Sequence, residues 1–93
     1  MSIEFQWDKG KALQNSKKHG VTFEEATTAF YDILSSTISD NDHSGGEARF
    51  LLLGLSSQSR LLVVSHTDRG NTVRIISARL ATNKERKYYE IKE

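Results

Sequence analysis

Apolar and polar residues alternate from Ile3 to Trp7, the period of a short strand with one buried face. Asp8 follows as a helix N-cap, and Gly20 stands where a helix running to His19 has to stop. Ala12 and Leu13 predict a thin buried stripe on that helix, while Lys9, Lys11, Lys17 and Lys18 keep the rest of it in water. Thr22 and Glu25 have the spacing of a capping box, in which hydroxyl and carboxylate close the first turn together. Phe23, Ala26 and Phe30 recur at helical spacing and predict one buried face on a second helix that ends near Asp32.

Beyond it the period changes. Ser35 to Asp40 is rich in β-branched and hydroxyl residues, as a strand is, and Asn41 to Gly46 has the composition of a turn. Three more strands are predicted over Arg49 to Leu55, Arg60 to Thr67 and Thr72 to Leu80. Their connections, Ser56 to Ser59 and Asp68 to Asn71, are short enough to make antiparallel hairpins the natural pairing. Phe50 to Leu53 and Leu61 to Val64 are continuously apolar, which predicts central strands covered on both faces. Thr82 and Glu85 form a second capping box, opening a C-terminal helix with Tyr88, Tyr89 and Ile91. On a helix the two tyrosines point in different directions, so one of them packs on the sheet. The whole reads as an α+β fold: a small antiparallel β-sheet with N-terminal helices and a C-terminal helix packed against it.

Composition narrows the function classes. The 93 residues make a single domain, 1–93, with one modest core. With no cysteine there is no disulfide frame and no thiolate metal site, which fits a cytoplasmic protein. No apolar run is long enough for a bilayer, and none at the N-terminus resembles a signal peptide. A net charge of +1 argues against a nonspecific DNA-coating protein. The charges are nevertheless segregated: no lysine or arginine lies between His19 and Arg49, where Glu24, Glu25, Asp32, Asp40, Asp42 and Glu47 fall. A local basic site beside an acidic segment is compatible with that pattern.

The chemistry-bearing residues gather on the predicted strands. Arg49, His66, Arg74 and Arg79 all sit there, and an arginine on the strand of a small domain costs desolvation unless a carboxylate or phosphate receives it. Arginine suits phosphate because its planar fork donates two parallel hydrogen bonds and keeps its charge. RNA cleavage needs a base for the 2′-hydroxyl, an acid for the leaving oxygen and cations for the transition state. His66, Glu47, Arg49 and Arg74 are of the types required. The competing reading is a frame of ion pairs, Glu47 with Arg49 or Glu85 with Arg79. Strand alternation puts Arg74 and Arg79 on opposite faces unless a bulge intervenes. The spacing of Asp40, Asp42 and His43 is weak as a metal site, and no cofactor motif is present.

These residues together resemble a known family. Phe5, Trp7, Asp8, Lys11, Asn15, the run Lys18 to Ala26, and Phe30 carry the first block of the resemblance. Glu47, Arg49, Gly54, His66, Thr67, Arg69, Gly70, Arg74 to Arg79, Ala81, Thr82, Glu85, Arg86 and Tyr89 carry the second. The chain is similar to the BrnT toxins of bacterial type II toxin–antitoxin pairs. The resemblance implies a RelE-like fold and a metal-independent endoribonuclease that cleaves RNA and inhibits translation. It implies neutralisation by a ribbon-helix-helix antitoxin, BrnA-like, with operator DNA bound only through that antitoxin. The site residues expected on this reading are Arg49, Arg74 and Arg79 for phosphate, His66 as acid or base, and Glu47 and Tyr89 as supporting groups. The alternative is a non-catalytic module that binds RNA or a partner as a subunit of a repressor complex.

Overall fold

In the computed structural model, residues 3–40 and 47–91 are described. The elements are β1 (Glu4–Gln6), α1 (Lys9–His19), α2 (Phe23–Ala29), β2 (Ser36–Asp40), β3 (Arg49–Leu55), β4 (Leu61–Arg69), β5 (Thr72–Leu80) and α3 (Asn83–Ile91). They build one five-stranded sheet in the order β1-β5-β4-β3-β2. The β2–β3, β3–β4 and β4–β5 pairs are antiparallel, and β1 adds to β5 in parallel. The sheet is therefore mostly rather than wholly antiparallel. The turn expected over Asn41 to Gly46, with Asp42 and His43, lies outside the described residues.

Local signals act as expected at most helix ends. The Asp8 carboxylate accepts the Lys11 amide at 2.9 Å, and Gly20 closes α1 at φ 69°, a conformation that costs glycine nothing. At α3 both halves of the capping box form, Thr82 N–H to Glu85 and Glu85 N–H to Thr82. At α2 only half does. The Thr22 hydroxyl accepts the Glu25 amide at 3.0 Å, but the Glu25 carboxylate turns inward, away from the cap. There it accepts from the Ser56 hydroxyl at 2.7 Å and from the Arg60 guanidinium, while Arg60 also reaches the Gly20 carbonyl. A buried carboxylate has to be paired, and this need outweighs a surface cap. Helix α2 ends at Ala29, three residues before Asp32.

Two cores follow from the two faces of the sheet. Helices α1 and α2 seal one face over Val21, Phe23, Ala26, Leu62, Val64, Val73, Ile75 and Ala78. Gly54 lies under the end of α2, where a Cβ atom would stand 2.8 Å from the Ala29 carbonyl oxygen. Helix α3 covers part of the opposite face through Tyr89, over Leu53, Leu61 and Val63. Leu13 does not join either core: it is 59% exposed, and the buried residue of α1 is Asn15.

Asn15 explains how α1 is held. Strand β1 pairs with β5 only from Thr72 to Arg74. Further along, the outer edge of β5 has no strand partner among the described residues. The Asn15 amide takes that place, accepting the Ala78 N–H at 3.1 Å and donating to the Ala78 carbonyl at 2.8 Å. Its second amide hydrogen goes to the Val21 carbonyl at 3.0 Å, so the buried side chain is used on both its nitrogen and its oxygen.

Candidate nucleic-acid site

Between Ser65 and His66 the β4–β5 register shifts: Ser65 faces Ser77, but His66 faces Ile75. Ile76 is the extra residue, a β-bulge. One extra residue reverses the alternation on one side of it. Arg74, opposite Thr67, and Arg79, opposite Val63, therefore lie on the same face of the sheet. Without the bulge they would lie on opposite faces. Arg49 joins them, two residues before Leu51, which faces Ser65.

This face has two ends. At the end that α3 covers, Arg79 donates to both carboxylate oxygens of Glu85, at 2.9 and 3.0 Å. Those bonds hold the Glu85 carboxyl down at about 2 and raise the Arg79 guanidinium above its usual value. Tyr89 is buried at the same end, and its hydroxyl donates to Asp32 at 2.6 Å. Asp32 also accepts the amides of Leu55 and Leu34, so Tyr89 ties α3 to the strand ends.

At the other end no helix lies over the face among the described residues. Arg74 donates to Gln6 at 3.2 Å, an uncharged partner. Arg49 lies opposite Asp40 in the strand pairing, and among the described residues it makes no ion pair within 4.0 Å. Arg69 and Glu47 form a fork at the rim, at 2.5 and 2.6 Å. The Arg69 bonds hold the Glu47 carboxyl below its usual range, and the charge of Arg74 adds to this. Glu47 thus pairs with Arg69 rather than with Arg49. The composition of Asp68 to Asn71 predicts Arg69 in a turn. Strand β4 runs two residues further than expected, and the chain reverses only at Gly70, φ 61°, and Asn71. A glycine and asparagine flanked by strand-like residues was the signal.

His66 is not on this face. It shares the sealed face with Leu62 and Val64, is 2% exposed, and stands between Phe30 and Phe50 at centroid distances of 4.9 and 5.8 Å. Its Nδ1 lies 2.7 Å from Asp68 Oδ1, and Nε2 is buried without a hydrogen-bond partner among the described residues. The structure therefore brings Arg49, Arg74, Arg79 and Glu47 to one face. It sets His66 behind them and gives Tyr89 to the helix anchor.

The comparisons with known proteins agree with this architecture. Residues 7–85 match the model of a family described as the ribonuclease toxin, BrnT, of type II toxin–antitoxin systems. The chain belongs to the BrnT family. Among solved structures it is similar to the Brucella abortus ribonuclease toxin, BrnT, a crystal structure at 1.1 Å resolution. The TM-score is 0.63 at 20% sequence identity, covering 88% of this chain and 100% of that one. At that identity the likeness bears on the fold. No curated protein matches the chain.

Proposed function

We propose that this BrnT-family chain is a metal-independent endoribonuclease that cuts RNA at the uncovered end of the arginine face, and so inhibits translation in the cytoplasm. The observation that carries the reading is the bulge-aligned face, on which Arg49 and Arg74 lack a carboxylate partner among the described residues. An arginine whose fork is not taken up by a hydrogen-bonded carboxylate is available to phosphate. In this reading Arg49 and Arg74 hold the phosphoryl oxygens, and Glu47, kept ionised by Arg69, takes the proton from the 2′-hydroxyl. The 2′ oxygen attacks phosphorus, the 5′ oxygen leaves and takes a proton from water, and a 2′,3′-cyclic phosphate remains. Arg79 and Tyr89 position α3, and His66 supports Phe50 and β4 from behind. A ribbon-helix-helix antitoxin, BrnA-like, would silence the site and supply the contacts to operator DNA.

The test is incubation of the purified protein with single-stranded RNA in excess chelator. New RNA ends that vanish in Arg74→Ala and Arg49→Ala, with both variants folded, are the expected result. Folded variants that cut as well as wild type would overturn the assignment. One observation favours a non-catalytic second reading: among the described residues, no histidine stands on the arginine face. Tight RNA binding with no new ends would select that reading.

A further inference from the structure

One row of the arginine face crosses all five strands. Asp40 on β2 lies opposite Arg49 on β3, and Thr67 on β4 lies opposite Arg74 on β5, which Gln6 on β1 flanks. The β3–β4 register, with Phe50 opposite His66, carries on by one residue to set Arg49 beside Thr67. Thr67 is thus the centre of the row, with one arginine on each side. The two ends differ in charge. Asp40 places a carboxylate beyond Arg49, and the neutral Gln6 side chain closes the other end, 3.2 Å from Arg74. An anion is repelled from the β2 end and is held best between the two guanidinium groups, over Thr67. Strands stand about 4.8 Å apart, so the arginine Cα atoms are about 10 Å apart, a span that two flexible forks close on a single phosphate.

Thr67 is 4% exposed, and its Oγ1 is one of two buried side-chain polar atoms without a hydrogen-bond partner among the described residues. The other, Nε2 of His66, lies on the sealed face. A buried hydroxyl without a partner works against the fold, and valine offers the same shape without that cost. The geometry points to Thr67 as a further phosphate-binding residue, whose hydroxyl donates to the phosphoryl oxygen that Arg49 and Arg74 clasp from either side. The forks swing onto the phosphate and open the floor between their stems, so the hydroxyl gains its partner only in the complex. Arg69, which holds Glu47, stands two residues further along the same face, about 7 Å away. This assignment rests on the reading of Arg49 and Arg74 as phosphate residues and adds to them a neutral donor.

The test uses the full chain and a labelled 2′-O-methyl RNA oligonucleotide, which has no 2′-hydroxyl to attack, with affinity read by fluorescence anisotropy beside thermal melts. Thr67→Val should bind about tenfold more weakly and melt no lower than wild type, because it loses a donor to a charged group and no partner within the fold. Thr67→Ser, which keeps the hydroxyl, should bind within about threefold of wild type. A Thr67→Val that binds like wild type while Arg74→Ala does not would overturn the assignment and leave the arginine reading standing. Arg74→Ala and Arg49→Ala that both bind like wild type would overturn the arginine reading and this assignment with it. A Thr67→Val that melts well below wild type would also overturn it, since the hydroxyl would then serve the fold. So would a Thr67→Ser that binds as weakly as Thr67→Val, since the methyl group would then be what matters.

Discussion

The two ends of one sheet face use arginine in opposite ways. At the covered end, Arg79 gives both prongs of its fork to Glu85, and that carboxylate also caps α3 through the Thr82 amide. At the uncovered end, Arg74 meets a neutral glutamine, and Arg49 has no carboxylate partner among the described residues. The same side chain serves structure where a carboxylate takes both prongs of its fork and is available to a ligand where, among the described residues, none does. Residue type does not separate the two roles; the neighbouring carboxylate does.

The sharpest way to break this comparison is to remove each arginine in turn. Arg49→Ala and Arg74→Ala should each lower RNA cleavage by about a hundredfold or more while leaving thermal stability nearly unchanged. Arg79→Ala should do the reverse, lowering stability more than turnover. If cleavage assays beside thermal melts show equal activity losses for Arg79→Ala and Arg74→Ala, with stability intact in both, the division of the face is wrong.

Asn15→Leu comes next in size. It strips partners from the Ala78 N–H, the Ala78 carbonyl and the Val21 carbonyl, and should cost about 2–4 kcal/mol in urea denaturation. Because Asn15 grips β5 just past the bulge, cleavage should fall together with stability. A loss under about 1 kcal/mol would show that the edge of β5 does not need this amide.

The Arg79–Glu85 pair makes a smaller and pH-dependent contribution. The Glu85 carboxyl titrates at about 2 in the fold against 4.5 unperturbed. Its folded value is the lower one, so the stabilisation is complete above about 4.5 and is lost as the pH falls toward 2. Both side chains are about a third exposed, at 39% and 32%, so screening limits the effect. It should amount to about 1 kcal/mol. Melting curves of wild type and Glu85→Gln should differ near neutrality and converge in acid; a gap that stays constant with pH would assign the effect to something other than this charge. The smallest effect belongs to Leu13→Gln, which should change stability by less than about 0.5 kcal/mol because the side chain already faces water.

Much of the fold was legible because its signals are local. Asp8, Gly20, Thr22, Thr82 and Glu85 mark helix ends through bonds to neighbours in the chain, and the apolar runs of β3 and β4 mark central strands. Of the candidate site, the residue types were legible and their grouping was not. Leu13 and Asn15 illustrate the limit. An apolar residue on a thin amphipathic stripe reads as buried, yet the position that meets β5 is a polar one, because an orphaned strand edge needs an amide more than a methyl group. Glu25 illustrates it again, leaving its cap for Arg60, a partner that sequence distance conceals.

By itself the sequence determined an α+β domain, its order of elements, the arginine-rich last strand and the resemblance to BrnT toxins. Only the tertiary structure decided that Arg74 and Arg79 share a face, that Glu47 belongs to Arg69, and that His66 lies behind the sheet. The physical reason for the shared face is the bulge at Ile76. Alternation along a strand is a local rule with two outcomes, and one unpaired residue, set by how β5 is paired with β4 on one side and gripped by Asn15 on the other, exchanges them.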